Sequence, residues 1–283
     1  MTLPGVLPGA VTMDRLALKG KHMSTAISTT TNVISYPSLA AGSRQARIIA
    51  ANLEGEPMRE QDLVRVPTPA GGATVWSIDN QGNVETTDEI IGLFVAEGKR
   101  GVLWPKDDPS GTRPLIVSHD LIVGYRVGED YGDRDPKAVE RYRIGDRRYD
   151  WQALATGPEF GWDSGKGGKG RKVKEHRTVA VLRIGDTWPI LLNIGPASVT
   201  DWNKRKRGLE LFSYETVLGF KLVKMKNSGG QPYSQIVTRV VGSIPEDQGE
   251  AARKTYHVPL TAMFNAPPMG MGMGVVIDNR DDQ

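Results

Sequence analysis

Cysteine is absent from this 283-residue chain, which excludes disulfides, thiolate metal sites and a cysteine nucleophile. Long apolar runs are absent as well. No stretch approaches the roughly 20 residues that span a bilayer, and the opening residues lack the basic-then-apolar order of a secretory signal. Charge of one sign does not dominate, since 36 Lys and Arg stand against 33 Asp and Glu, for a net charge of +3. The expectation is a soluble intracellular protein that makes no membrane contact.

Catalytic spacings are missing too. The four histidines, His22, His119, His176 and His257, are far apart and none lies in an HExxH-type arrangement. The glycine-rich run from Gly161 to Gly170 is not a phosphate-binding P-loop. Only three residues separate Gly161 from Gly165, and Lys166 is followed by Gly167, which has no hydroxyl for magnesium. No GxSxG elbow occurs. The acidic pairs Asp107 with Asp108, Asp130 with Asp133 and Asp281 with Asp282 read as solvated turn or tail residues. We therefore expect no catalytic residue, no metal and no cofactor.

Gly and Pro punctuate what is there. Residues 1–30 contain Pro4, Pro8 and a polar run, and read as a disordered N-terminal extension with Met23 as an alternative start. Residues 31–265 are expected to form one β-rich domain, and 266–283 a flexible Pro/Gly/Met tail with an acidic end. Helical spacing appears at Ser38 to Leu53 (Ser38 as N-cap), Pro196 to Phe212 and Glu246 to Lys254. Strand texture appears at Ala73 to Ile78, Ile90 to Ala96, Val102 to Trp104 and Leu115 to Val127. It returns at Thr178 to Ile184, Trp188 to Ile194, Val217 to Met225 and Ser234 to Gly242. Turns are expected at Asp79 to Asn83, at Gly98 to Gly101 as a hairpin connection, and at Asn227 to Gly230. Residues 128–177 read as one long irregular loop. Many short strands with regular turns predict an α+β, β-rich fold with an OB-like or related barrel core and peripheral helices.

The near-neutral total conceals a polarised chain. Lys166, Lys169, Arg171, Lys172, Lys174 and Arg177 are opposed only by Glu175, Lys204, Arg205, Lys206 and Arg207 are consecutive, and Lys221, Lys224 and Lys226 precede the Asn227 turn. Aromatic residues are interleaved. Tyr142, Tyr149, Trp151, Phe160 and Trp162 precede the first cluster, Trp202 precedes the second, and Tyr233 follows the third. Single-stranded nucleic acid is held by such a combination, because cations track phosphates while exposed rings stack on bases at about 1–3 kcal/mol each. Lys166, Lys169, Arg171, Lys172, Lys174, Arg177, Lys204 to Arg207, and Lys224 and Lys226 on one strand face are the expected phosphate contacts. Trp151, Trp162, Trp202 and Tyr233 are the stacking candidates, with Trp202 foremost because it adjoins a basic run. The opposing interpretation is a solvated helix end at Lys204 to Arg207 and tryptophans in the core.

The order of features carries a resemblance. Residues 84–105 (VETTDEIIGLFVAEGKRGVLWP), the Gly-Pro-Ala-Ser sequence before Trp202, and Val223 to Val241 (VKMKNSGGQPYSQIVTRVV) resemble proteins of bacteriophages and integrative elements. Those proteins look like single-stranded-DNA-binding proteins of replication or recombination modules. The resemblance implies a non-catalytic DNA-binding protein in the cytoplasm of a bacterial host. Where such proteins have a cysteine-rich loop, this chain has the Gly-Lys segment around Lys166 to Arg171. The linker-like tail ending in Asp278, Asp281 and Asp282 resembles the partner-contacting tails of single-strand binders, which implies contact with replication or recombination proteins. Homo-oligomerisation is left open. The alternatives are a structural or virion assembly protein and a metal-dependent nucleic-acid enzyme with dispersed acids.

Overall fold

Residues 89–103 (EIIGLFVAEGKRGVL) contain no proline and bury most of their apolar side chains, and the whole run is one fifteen-residue strand. The computed structural model describes residues 32–40, 43–80, 82–104, 114–127, 137–165, 170–227 and 229–266. The expected N-terminal extension and the tail from residue 267 onward lie outside the described residues. In chain order the strands are Arg65–Val66 (β1), Trp76–Asn80 (β2), Asn83–Thr87 (β3), Glu89–Leu103 (β4), Ile116–Ser118 (β5) and Val123–Arg126 (β6). They continue with Arg143–Gly145 (β7), Arg148–Asp150 (β8), Lys174–Arg183 (β9), Ile190–Ile194 (β10), Thr216–Lys226 (β11) and Pro232–Ser243 (β12). The α-helices are Arg44–Leu53 (α1), Trp151–Thr156 (α2), Pro196–Arg207 (α3), Glu246–Ala252 (α4) and Val258–Asn265 (α5).

β4 is the hub of an open ten-stranded sheet. One of its edges pairs with β9, and beyond β9 lie β10 and the short parallel β1. The other edge is shared: β11, followed by β12, takes residues 89–93, whereas β5 takes residues 101–103 and leads to β6, β8 and β7. β2 and β3 form a separate hairpin. The protein is thus strand-rich α+β, but the expected barrel is corrected. Two arms leave the same edge of β4 and neither pairs with β1, so among the described residues the sheet does not close.

Several local expectations change for physical reasons. Gly98 to Gly101 is not a hairpin but the interior of β4. A Cβ on Gly98 would lie 2.7 Å from the ring of Phe264, and one on Gly101 would lie 2.1 Å from the indole of Trp151. These glycines make room for rings rather than a turn. Ser43, not Ser38, caps α1, its Oγ accepting from the Ala46 N–H at 3.2 Å. α3 ends at Arg207 rather than Phe212, at Gly208, a residue that disfavours continuing a helix. The stretch 128–177 is no single loop, since Val139, Tyr149 of β8, α2, Phe160 and Val173 build a core of their own with Leu103, Leu115 and Ile116.

Two further cores flank the sheet. On one face Leu93, Val95, Ala180, Leu182 and Val217 pack with Ile49 of α1, Ala252 of α4 and Leu260 of α5. On the other, Phe94, Val179, Val181, Leu218 and Phe220 pack under Val199 and Trp202 of α3 and Trp76 and Ile78 of β2. Between Phe94 and Ala96 the register slips, and Val95 is the extra residue of a bulge. Its carbonyl lies 2.7 Å from Nδ1 of His257. A carbonyl only accepts, so Nδ1 carries the proton. His257 ends a π-helical turn, Arg253–His257, that joins α4 to α5. Pro259 has no N–H and would crowd a regular preceding turn, which the widened turn relieves. The helix expected to stop at Lys254 therefore runs on to Asn265.

Among the described strands β12 pairs with β11 alone, and apart from the bridge between Ser243 and Val33 its outer edge would expose a row of backbone groups. α3 covers them. Ser198 Oγ accepts from the Ile236 N–H at 2.9 Å, and Arg205 Nε donates to the Thr238 carbonyl at 3.0 Å. Ser198→Ala leaves a buried N–H unpaired and is expected to cost about 1–3 kcal/mol. Urea unfolding measures this, and an unchanged midpoint would show that Ser198 does not hold the edge.

Candidate nucleic-acid interface

Trp202, the foremost stacking candidate, is corrected to a core residue. Val199 and Trp202 lie three positions apart on α3 and so point the same way, into the sheet. The Trp202 ring meets Phe94 edge-on at 5.1 Å, and its Nε1–H donates to Glu97 Oε1 at 2.9 Å. Trp151 is likewise corrected. Its indole is buried over Gly101, in the core that α2 shares with β5 and β8. Neither ring is available to a base.

Arg177 and Lys206 are drawn into the protein by the same carboxylate. Glu97 and Arg177 are almost fully buried, with side chains 8% and 6% exposed, and Arg177 Nε lies 3.3 Å from Glu97 Oε1. Lys206 Nζ reaches the other oxygen, Oε2. Arg177 also lies 3.7 Å from Glu175, and Glu175 lies 3.4 Å from Arg171. An unbroken ionic run thus links Arg171, Glu175, Arg177, Glu97 and Lys206. It brings the first two basic clusters onto one surface, though Arg177 itself is corrected from a phosphate contact to an internal strut. Arg205 is partly committed as well, to the Thr238 carbonyl.

The outer end of that run has a different character. Trp162 is 70% exposed, and the Arg171 guanidinium carbon lies 4.1 Å from its ring centroid. A bridge between Trp162 and Arg171 sets the pair. Ser164 Oγ ties the segment together, accepting from the Lys172 N–H at 3.1 Å and donating to the Gly161 carbonyl at 2.6 Å. Lys172 is exposed, with Nζ 5.8 Å from the Phe160 ring centroid. Lys166 and Lys169 lie outside the described residues.

Alternation sorts the rest. Lys174 pairs in register with Val102, on the opposite face from Arg177, and is removed from this surface. Lys99 pairs with Arg177, shares its face and is exposed. It belongs to the interface although its segment read as a turn. Lys204 and Arg207 are exposed at the end of α3, with no ion pair among the described residues.

The third cluster does not join. Lys224 and Lys226 are exposed near the tip of the β11–β12 hairpin, the Lys224 stem lying against Gly72. Half-buried Tyr233 stands opposite Met225. The basic end of α3 meets β12 at Thr238, six residues and about 20 Å along the strand from Pro232, the partner of Lys226. At the base of the hairpin Arg239 bonds Glu89 at 2.7 Å and holds that carboxyl below its ordinary range.

Among the described residues, no group of three or more His, Asp or Glu is placed to hold a metal ion, and no helix is long and apolar enough to cross a membrane. In comparisons with known proteins, the chain matches no family model, no curated protein and no solved structure.

Proposed function

We propose that this protein binds single-stranded DNA without catalysis, on the face of the sheet beside the C-terminal half of β4. The observation that carries the proposal is the exposed Trp162 ring with Arg171 stacked against it, joined by a continuous ionic run to the basic end of α3. Trp162 supplies a π-face of the kind on which any base stacks. Arg171, Lys172, Lys99, Lys204 and Arg207 supply charge for the phosphates, and counterion release favours binding. The likeness to OB-type binders is one of use rather than closure, with a bent central strand carrying the track. Phage or mobile-element replication or recombination is the setting that the sequence resemblance supports for this activity, with the acidic tail as the contact for partner proteins.

Trp162 makes the test direct, because Trp76, Trp151 and Trp202 are buried and Trp104 and Trp188 are partly buried. Oligothymidine should quench the emission of Trp162, and fluorescence anisotropy should show affinity falling with salt at a log–log slope of about −3 to −4 for five phosphate contacts. Trp162→Ala should weaken binding by about 1–3 kcal/mol. No binding at low salt would remove the proposal and leave a structural or assembly role. Cleavage of the oligonucleotide with magnesium would favour an enzyme.

A further inference from the structure

Alternation on β4 sets one cation apart from those of the interface. Gly98, Arg100 and Val102 share a face, and a Cβ on Gly98 would lie 2.7 Å from the ring of Phe264 on α5. Arg100 therefore points away from Lys99 and Arg177, to the side that α5 covers. Its Nε is buried and has no hydrogen-bond partner, and the carboxylate that acts on it, Glu60, is held by Arg65. A guanidinium does not shed its proton, so burying one without an acceptor is costly unless an anion completes the site. We propose that Arg100 and His119, with His176 and Lys174 at the rim, form an anion site that takes a phosphate group. This site goes beyond the nucleic-acid interface and lies on the opposite face of the sheet.

Register sets the flanks. Arg100 pairs with His176 of β9, and Gly101 pairs with Ser118 of β5, so His119 follows beside Arg100 on its other edge. All three side chains are half-buried, shielded from bulk water yet open to a small ion. Lys174 pairs with Val102 and so shares the face of His176 and Arg100. Glu60 lies near enough to act on both Arg100 and His119, Arg65 on Arg100, and Asp120 on His119. Both acids are engaged elsewhere. Glu60 pairs with Arg65, and Asp120 Oδ1 accepts from the Ile122 and Val123 N–H groups at 2.7 and 2.9 Å and from the Ser118 hydroxyl at 3.1 Å. Arg65, Arg100 and Lys174 thus stand against Glu60 and Asp120, three against two, an excess of one positive charge among these groups. Burial, and then the Arg100 charge, hold the His119 imidazole below its ordinary pKa, with Glu60 and Asp120 opposing. His119 is therefore neutral near pH 7 and has one ring N–H to donate. A phosphate matches the excess charge, and its oxygens accept from the guanidinium fork and from the imidazole together.

Thermal unfolding of the full chain in sodium phosphate, against sodium chloride at matched ionic strength, tests the site. Phosphate should raise the parent midpoint, because a ligand of the folded state alone stabilises it. Arg100→Gln should bind phosphate at least about tenfold more weakly, the loss of a charge-assisted contact, and its midpoint should barely respond. His119→Asn should weaken phosphate about 2- to 10-fold, and it carries the comparison if Arg100→Gln fails to fold. In NMR spectra of the parent the His119 ring should shift on addition of phosphate, and its pKa should rise. Oligothymidine then separates the sources of the phosphate. If Arg100→Gln binds it like the parent, the site takes free phosphate or a phosphate monoester; if binding is weakened, a nucleic-acid phosphate reaches Arg100. Equal stabilisation of parent and Arg100→Gln by phosphate is a general salt effect and overturns the site. An unchanged parent midpoint or an unmoved His119 ring overturns it as well. If oligothymidine binds neither protein, the interface falls and the phosphate series alone decides the site.

Discussion

Glu97→Ala should destabilise the fold by about 3–5 kcal/mol, the cost of stranding a buried charge. Arg177 is 5% exposed and cannot turn to water, and Glu97 is its closer carboxylate partner, with Glu175 at 3.7 Å as the weaker second. The same substitution removes the acceptor of the Trp202 Nε1–H. Glu97→Gln retains a carbonyl oxygen for Trp202 and loses only charge, so it should fall between parent and alanine variant. Lys206→Ala is the contrast. Its side chain is 35% exposed and Glu97 keeps Arg177, so the loss should stay below about 1 kcal/mol. Urea unfolding of the three variants orders them. If Glu97→Ala and Lys206→Ala shift the midpoint equally, Glu97 is a surface partner and not the anchor of the network.

The same carboxylate explains why the sequence led to part of the interface and away from the rest. Composition locates cations and rings, and alternation places Lys224 and Lys226 with Leu222, as β11 does. The Asn227 hairpin is equally legible, since Asn227 Oδ1 accepts from the Gly229 and Gln231 N–H groups at 2.9 and 3.0 Å. What the sequence does not contain is pairing. Nothing local to Arg177, Trp202 or Lys206 announces that one glutamate some hundred positions away will claim all three. Lys99 is hidden for the converse reason. Its segment reads as the tip of a hairpin, and only the register of β4 sets it beside Arg177.

Gly101→Ala should cost about 3 kcal/mol, at the upper end for overpacking a core, although its backbone conformation is ordinary. The reason is a row of small residues. Gly101 of β4, Ser118 of β5 and Gly124 of β6 are neighbours in register across three strands, and Tyr149 of β8 closes the row. The Trp151 indole lies in this slot. A Cβ at Gly101 would come within 2.1 Å of its Cζ2 and 2.4 Å of its Cε2, and one at Gly124 within 3.3 Å of its Cε3. Trp151 is 1% exposed and packed in a core with Tyr149, Leu154 and Phe160, so the ring has nowhere to retreat. Trp151→Ala alone should cost about 3–5 kcal/mol through the cavity it leaves. The double variant decides the matter. If the clash with the indole is the cause, the added methyl costs little once the ring is gone, and the two losses fall short of additivity by about 1–3 kcal/mol. Strict additivity would mean that Gly101 is required for some other reason and that the small-residue slot does not seat Trp151.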